Sequence, residues 1–122
     1  MSENYPDFDV LKGKTITGVV NDDNERITFN CEGGESFVLY HDQDCCETVK
    51  VEEIIGDLGD LVGLVVEAEE VTNADGPAPQ YPDSWTWTFY KVGTTKGFVT
   101  IRWLGVSNGH YSERVTFAKG RP

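Results

Sequence analysis

The sequence predicts a mainly β domain, built as an antiparallel, curved sheet or a partly open barrel with one or two short helices. Several segments alternate apolar and polar residues and are rich in β-branched and aromatic types, such as RITFNCE (26–32) and SWTWTFYKV (84–92). Turn signals such as NDDNE, Gly33-Gly34 and Asn108-Gly109 separate these segments. Many short strands in a short chain favour strong curvature of the sheet.

The first three predicted strands are KTITGVV (14–20), RITFNCE and ESFVLYH (35–41), which we expect to form a meander. The stretch TVKVEEIIGDLGDLVG (48–63) fits both period 2 and period 3.6, and it predicts a short strand followed by helical turns within residues 52 to 62. LVVEAEEVT (64–72) predicts another strand. NADGPAPQYPDS (73–84) predicts a surface loop.

The C-terminal third predicts three long antiparallel strands: SWTWTFYKV, FVTIRWLGV (98–106) and YSERVTF (111–117). Asn108-Gly109, a strong hairpin signal, would join the last two. The alternation in the first of them predicts that its two Trp residues and Phe89 face the core, while Thr88 and Tyr90 face outward.

Length and composition predict a single domain at residues 11–118, preceded by a flexible arm at 1–10 and followed by a tail at 119–122. The chain lacks an apolar run long enough for a membrane span and a secretory signal pattern, which predicts a cytoplasmic protein. Three Cys residues, two of them adjacent, make a poor disulfide framework and predict reduced thiols. Cys31 falls in phase with Ile27 and Phe29, which predicts a core position.

The net charge of −11 is unevenly distributed along the chain. Residues 1–84 carry 20 acidic and 4 basic residues (−16), and residues 85–122 carry 1 acidic and 6 basic residues (+5). Either the folded surface is dipolar, or the basic strands lie against the acidic ones. An overall negative field disfavours direct nucleic-acid binding and suits a partner with a basic surface.

The segment HDQDCCE (41–47) combines the residue types of several kinds of site. His41, Cys45 and Cys46 are weak metal-ligand candidates, because adjacent Cys residues seldom converge on one ion. A nucleophilic cysteine and a redox-active vicinal disulfide are further alternatives. The favoured interpretation is a polar turn in which Asp42 or Asp44 caps backbone N–H groups and one Cys faces the core.

Candidate ligand-binding residues lie in the C-terminal strands. Tyr90, Arg102, Tyr111 and Arg114 combine aromatic rings with guanidinium groups that match phosphate or carboxylate. The alternative for Arg102 is pairing with an acidic side chain. The sequence contains no recognisable catalytic or phosphate-binding motif, so it predicts neither an enzyme nor a cofactor.

Three segments carry a resemblance to a known family: LYHDQDCCETVKVEEIIGDLGDLVG (39–63), AEEVTN (68–73) and SWTWTFYKVGTTKGFVTIRWLGVSNGHYSERV (84–115). Together they resemble a family of small phage and bacterial proteins of unknown function, over roughly residues 36 to 115. The resemblance implies a phage or prophage origin and assigns no site residue.

The working hypothesis is a non-enzymatic phage accessory protein that binds, and thereby inhibits, a basic host defence or regulatory protein in the cytoplasm of an infected or lysogenic bacterium. One alternative is a protein that sequesters a small nucleotide-like ligand. Another is a Cys-dependent redox or metal-binding protein. We expect a homo-oligomer, since exposed strand edges favour pairing between chains.

Overall fold

The computed structural model describes residues 5–73 and 84–120 and confirms a mainly β fold with one open, curved, antiparallel sheet. The predicted loop at 73–84 lies outside the described residues except for its two ends. The strand order across the sheet is β4-β7-β6-β5-β1-β2-β3-β8. The strands are β1 (Thr15–Asp22), β2 (Arg26–Cys31), β3 (Ser36–Tyr40), β4 (Thr48–Ile55), β5 (Gly63–Asn73), β6 (Ser84–Thr94), β7 (Gly97–Ser107) and β8 (Thr116–Lys119).

The predicted meander of β1, β2 and β3 is confirmed. Alternation in β2 turns Ile27, Phe29 and Cys31 into the core, where each is buried. Gly33 and Gly34 make the following turn with φ values of 83° and 81°, which glycine adopts without a Cβ clash. Cys31 is a free thiol, as predicted, and burial raises its pKa above the ordinary value.

The basic strands lie between acidic ones, which settles how the two charged parts of the chain are arranged. β6 and β7 form a long hairpin, with β5 on one side and β4 on the other. Lys91 of β6 is the register partner of Glu69, and Arg102 of β7 is the register partner of Glu53. Arg102 forms ion pairs with Glu52 and Glu53 of β4, so the basic hairpin lies among acidic strands and the sheet is not divided into two charged halves.

The prediction that β8 would pair with β7 through Asn108-Gly109 is wrong. β8 starts only at Thr116 and pairs with β3. The hairpin signal is overridden locally, because the Ser107 hydroxyl accepts the Gly109 N–H at 3.0 Å and the Asn108 side chain accepts the His110 N–H at 3.0 Å. These bonds turn the chain away from β7, and residues 108–115 cross to the other end of the sheet.

The described part of the predicted N-terminal arm packs into the core. Phe8–Leu11 form a 3-10 turn in which Phe8 and Leu11 are buried. The Phe8 ring centroid lies 4.8 Å from that of Tyr90 on β6 and 5.1 Å from that of Phe117 on β8, so this ring links β6 to the edge strand β8. Residues 1–4, 121 and 122 of the predicted arm and tail lie outside the described residues.

The predicted helical turns near residues 52 to 62 appear as one 3-10 turn at Leu58–Leu61. The Asp57 carboxylate caps this turn by accepting the Gly59 N–H at 2.8 Å. Two glycines within four positions disfavour a longer α-helix, so β4 continues as a strand to Ile55. Within residues 5–73 and 84–120, no helix has the length and apolarity that a membrane span requires.

The predicted orientation of β6 is reversed. Thr88 and Tyr90 face the interior, where both are buried, and Tyr90 is the register partner of the buried Ile101. Trp87 lies on the opposite face, yet it is buried as well, with the Arg102 guanidinium 5.1 Å from the centroid of its ring. Because both faces of this strand are largely covered, alternation alone could not identify the core face.

Candidate functional site

An open cleft lies between β5 and the start of β8, and we call it the β5–β8 cleft. Its volume is about 740 Å³. The N-terminal 3-10 turn closes one side of it. Its lining residues are Tyr5, Pro6, Asp7, Phe8, Asp9, Lys12, Glu67, Ala68, Glu69, Glu70, Arg114, Val115, Thr116 and Phe117.

A second cleft of about 420 Å³ adjoins the first, and we call it the β6 cleft. Both clefts are lined by Glu70, Arg114 and Val115, which therefore lie at their junction. The remaining lining residues of the β6 cleft come from β5, β6 and the 108–115 segment. They are Thr72, Ser84, Thr86, Thr88, Tyr90, Gly109, Tyr111 and Glu113.

The structure brings three of the four predicted ligand-binding residues together. Tyr90, Tyr111 and Arg114 all line the β6 cleft. Arg102 lies on the opposite face of the sheet, where its guanidinium pairs with Glu52 and with Glu53. The alternative interpretation of Arg102 as an ion-paired residue is therefore the one that the structure supports.

The 108–115 segment forms a wall of both clefts and is held by the Glu113 carboxylate. Glu113 accepts hydrogen bonds from the Thr86 hydroxyl at 2.7 Å and from the Ser107 hydroxyl at 2.5 Å. Gly105 permits the close approach of this segment to β7, because a Cβ at that position would lie 2.5 Å from the Glu113 carbonyl oxygen. The wall is thus fixed to β6 and β7 by hydrogen bonds and by close contact.

Tyr90 closes the floor of the junction between the clefts. Its hydroxyl donates to a Glu70 carboxylate oxygen at 2.6 Å. Burial, together with this hydrogen bond and the negative charge of Glu70, raises the pKa of the Tyr90 phenol far above its ordinary value. The phenol is therefore a neutral donor, and it orients a carboxylate at the cleft surface.

The HDQDCCE segment is a turn organised by a buried carboxylate. Glu47 has a fully buried side chain and accepts from His41 Nε2 at 2.7 Å, from the Asp44 N–H at 2.8 Å and from the Cys45 N–H at 2.9 Å. The hydrogen bond from His41, with those from the backbone, lowers the pKa of Glu47 to about 2. The predicted polar turn exists, but Glu47 rather than Asp42 or Asp44 organises it.

His41 connects this turn to the cleft wall. Its Nε2 faces the Glu47 carboxylate, and its Nδ1 lies 2.8 Å from the Arg114 carbonyl oxygen. Each ring nitrogen of His41 therefore has a polar partner within the protein. Both nitrogens are thus engaged in positioning the turn against the 108–115 segment.

Cys45 and Cys46 form a disulfide between adjacent residues, so the prediction that all three thiols are free is wrong for this pair. Both residues are exposed, which also corrects the expectation that one of them faces the core. Within the described part of the chain, no group of three or more His, Cys, Asp or Glu side chains converges as metal ligands would.

The β5–β8 cleft is acidic. Five carboxylates line it, against Lys12 and Arg114. Within the described ranges, no ion pair involves any of the five. The sequence did not predict them as a group, although the run EAEE at 67–70 was the available signal. They are Asp7, Asp9, Glu67, Glu69 and Glu70.

Comparisons with curated proteins and with solved structures find no matching relative. One family model matches, described as a domain of unknown function, DUF7448, and the match covers residues 9–117. That range includes both clefts except for their most N-terminal lining residues, and it includes the whole HDQDCCE turn. The chain therefore belongs to the DUF7448 family.

Proposed function

We propose that this protein acts by binding a protein partner that has a basic surface, and that the β5–β8 cleft is the contact region. The observation that carries the proposal is the set of five carboxylates that line an open cleft and have no ion pair within the described ranges. Carboxylates held at a concave surface offer charge-assisted hydrogen bonds to lysine and arginine side chains.

The charge of the whole molecule supports the same conclusion. A net charge of −11 creates a long-range field that accelerates encounter with a basic partner. Such steering weakens as salt shortens the Debye length, to about 8 Å at physiological ionic strength. Binding by this route is therefore expected to be fast and strongly dependent on salt.

Within this proposal, the protein is a phage or prophage accessory protein and its partner is a host defence or regulatory protein. Occupation of the partner's basic surface would block whatever that surface normally contacts. The proposal requires no catalytic group, because inhibition follows from occupation alone. The site of action is the bacterial cytoplasm, where such a partner would be found.

The test compares two variants that lose the same charge at different places. Glu67→Gln/Glu69→Gln removes two cleft carboxylates, and Glu32→Gln/Asp42→Asn removes two exposed carboxylates that do not line the β5–β8 cleft. Each is used to capture partners by crosslinking in bacterial cells, and affinity for the recovered partner is then measured at two salt concentrations. We expect at least about tenfold weaker binding for the cleft variant than for the control, which corresponds to about 1.4 kcal/mol.

Equal affinities for the two double variants would contradict the proposed contact region. Affinity that does not change with salt would contradict the electrostatic basis of the proposal. Both comparisons measure affinity for the purified partner, so neither depends on how many proteins are recovered from the cells.

A second candidate function is the binding of a small nucleotide-like ligand in the β6 cleft. The observation that favours it is the grouping of Tyr90, Tyr111 and Arg114 around that cleft. A thermal-shift screen with nucleotides tests this candidate, because a ligand that binds only the folded state raises Tm. The rise in Tm should disappear in Arg114→Ala and persist in Arg102→Ala, whose guanidinium lies on the other face.

A further inference from the structure

The face of strands β5, β6 and β7 that points away from the core carries large apolar side chains in exposed positions. Phe98 of β7 is 67% exposed, and Leu64 and Val66 of β5 are 47% and 45% exposed. Exposed apolar side chains that cluster on one side of a domain mark an interaction surface. The strand register shows that these three side chains lie at one end of the same face.

The row of residues at Gly93 faces outward. Gly93 of β6 is the register partner of Phe98 on one side and of Glu67 on the other. The neighbouring Val92 is fully buried, and side chains alternate between the two faces of a strand, so the row at Gly93 lies on the face opposite to the core. Phe98 and Glu67 therefore share this outer face.

A β-bulge places further apolar side chains of β5 beside this row. The register shifts between Val65 and Glu67, which makes Val66 the extra residue of the bulge. Val65 is buried, whereas its two neighbours, Leu64 and Val66, are exposed. Leu64 and Val66 therefore point to the outer face, at the end of β5 that adjoins the row of Gly93.

The Phe98 ring is held in a defined position. A Cβ atom at Gly93 would lie 2.6 Å from two atoms of this ring, so the ring rests on the bare backbone of β6. In the sheet, β6 lies between β7 and β5, and the ring therefore extends from β7 toward β5. The other side of the ring stays open, which offers a binding partner a large apolar contact whose orientation is already fixed.

One cation and one anion lie side by side on the next row of the outer face. Lys91 of β6 and Glu69 of β5 are register partners, and both are exposed. Within residues 5–73 and 84–120, no ion pair involves either side chain. A surface that carries both signs of charge in this way is complementary to a second copy of itself, because a two-fold rotation exchanges the two strands.

We propose that this outer face pairs with the same face of a second copy in a two-fold symmetric dimer. The contact region, which we call the Phe98 face, consists of Leu64, Val66, Glu69, Lys91 and Phe98. A two-fold axis parallel to the strands and between β5 and β6 sets β6 of each copy over β5 of the other, with the rows aligned. Lys91 of each copy then lies over Glu69 of the other. The Phe98 ring of each copy lies over Leu64 and Val66 of the other.

The charge of the whole molecule predicts how this dimer responds to salt. Each copy carries a net charge of −11, so two copies repel each other over long distances. Salt screens this repulsion, with a Debye length of about 8 Å at physiological ionic strength, whereas the burial of apolar side chains does not depend on screening. Dimerisation should therefore strengthen as salt rises, which is opposite to the salt dependence expected for a basic partner.

The dimer and the proposed partner compete for one carboxylate. Glu69 lines the β5–β8 cleft and also belongs to the Phe98 face. A second copy that engages Glu69 removes this carboxylate from the cleft, so dimerisation lowers the affinity for a basic partner. Only this consequence rests on the proposed function, because the dimer itself requires no other protein.

The first test reverses the charges of the proposed ion pair and measures the dissociation constant of the dimer by sedimentation equilibrium. Lys91→Glu and Glu69→Lys should each weaken the dimer at least about tenfold, since like charges then face each other across the interface. The double variant restores opposite charges and should return to within about threefold of the wild type. Lys50→Glu, an exposed change of the same charge on β4, is the control and should leave the dissociation constant unchanged.

The second test removes the central apolar contact. Phe98→Ser should weaken the dimer at least about tenfold, because one preformed aromatic ring per copy fills the contact. The ring is exposed in the single chain, so the Tm of the monomer should change little. Val20→Ser is the matched control, since Val20 is 52% exposed on β1 and lies outside the Phe98 face.

Four outcomes would overturn this proposal. A protein that stays monomeric at millimolar concentration in high salt has no such interface. A dimer that persists in Phe98→Ser and in both single charge reversals uses another surface. A double charge reversal no stronger than the single ones excludes the pairing of Lys91 with Glu69. Weaker binding of the captured basic partner by Phe98→Ser would mean that the partner, rather than a second copy, occupies this face.

The proposed function survives the first three outcomes, because it is tested separately. Its measure is the affinity of Glu67→Gln/Glu69→Gln for the purified partner, whereas the dimer is measured on this protein alone. Phe98→Ser keeps all five cleft carboxylates and should bind the partner at least as tightly as the wild type does.

Discussion

Two irregular segments of this protein, the 41–47 turn and the 108–115 wall, are each held by one glutamate, and they are held differently. The Glu47 side chain is fully buried and receives bonds from an imidazole and two backbone N–H groups. The Glu113 side chain is half-buried and receives bonds from two hydroxyls. The first carboxylate fixes a turn internally, whereas the second fastens a segment to strands distant in the chain.

This difference shows that the two segments depend on their carboxylates to different degrees. Removal of Glu47 would leave the Nε2 atom of a buried imidazole and two backbone N–H groups without a partner, and such polar groups are costly to bury. Removal of Glu113 would leave two hydroxyls, one of which water can reach. We therefore expect the turn to be the more rigid segment and the wall to be the one that can adjust when a cleft is filled.

The largest expected effect is that of Glu47→Gln. An amide at this position offers one acceptor oxygen in place of two and turns its NH₂ toward backbone donors. The turn therefore loses at least one of the hydrogen bonds that the carboxylate accepts. Thermal unfolding should show a fall in Tm more than about twice that of Glu113→Gln. The matched control is Asp42→Asn, an exposed change in the same turn. A Tm for Glu47→Gln no lower than that of the control would contradict the comparison.

The pH dependence of stability sharpens the same point. The pKa of Glu47 in the folded state is about 2, below its ordinary value of 4.5, so the unfolded chain takes up the proton first as pH falls. The stability that Glu47 contributes is complete above about pH 4.5 and is lost as pH falls toward 2. Urea unfolding over this range should give a steeper loss for the wild type than for Glu47→Gln. If the free energy of unfolding fell equally with pH in the wild type and in Glu47→Gln, Glu47 would not be the source of this pH dependence.

Glu113→Gln should have an intermediate effect, destabilising by about 1 kcal/mol, the net value of a typical hydrogen bond. The amide oxygen still accepts one of the two hydroxyls, which limits the loss. Hydrogen exchange should rise in residues 108–115 and stay unchanged in residues 41–47. If exchange rose equally in both segments, the two would not be separately anchored.

The smallest expected effect is that of Tyr90→Phe, which keeps the ring in the core and removes only its bond to Glu70. We expect a loss of about 0.5 kcal/mol in urea unfolding, the low end for one hydrogen bond, because the exposed Glu70 carboxylate regains water. Tyr111→Phe is the control at the same cleft, and it should lie nearer to the wild type. An effect of Tyr90→Phe larger than that of Glu113→Gln would reverse the proposed ranking.

Much of the fold could be predicted from local patterns. The meander of β1 to β3, the long hairpin of β6 and β7 and the helical turn before β5 all follow from residue types and turn signals close together in the chain. Cys31 in the core followed from its phase with Ile27 and Phe29. These features are predictable because the interactions that produce them are local or are repeated along a strand.

The candidate site was predictable only in part. Tyr90, Tyr111 and Arg114 were chosen for their chemistry, but only the fold shows that they share a cleft and that Arg102 does not. The five cleft carboxylates come from two distant segments, so no sequence window contains them together. The central role of Glu47 was missed because three donors, one of them beyond a turn, had to be positioned around it first.

The sequence by itself determined the β class of this domain, its local hairpins and its strong negative charge, since each depends on composition or on neighbours in the chain. Only the tertiary structure decided the crossing of residues 108–115 to β3, the inward orientation of Tyr90 and the grouping of five carboxylates around the β5–β8 cleft. These features depend on competition between alternatives of similar local energy. Hydrogen bonds to Ser107 and Asn108 overrode a hairpin signal. Because β6 is largely covered on both faces, its alternation could not show which face is the core.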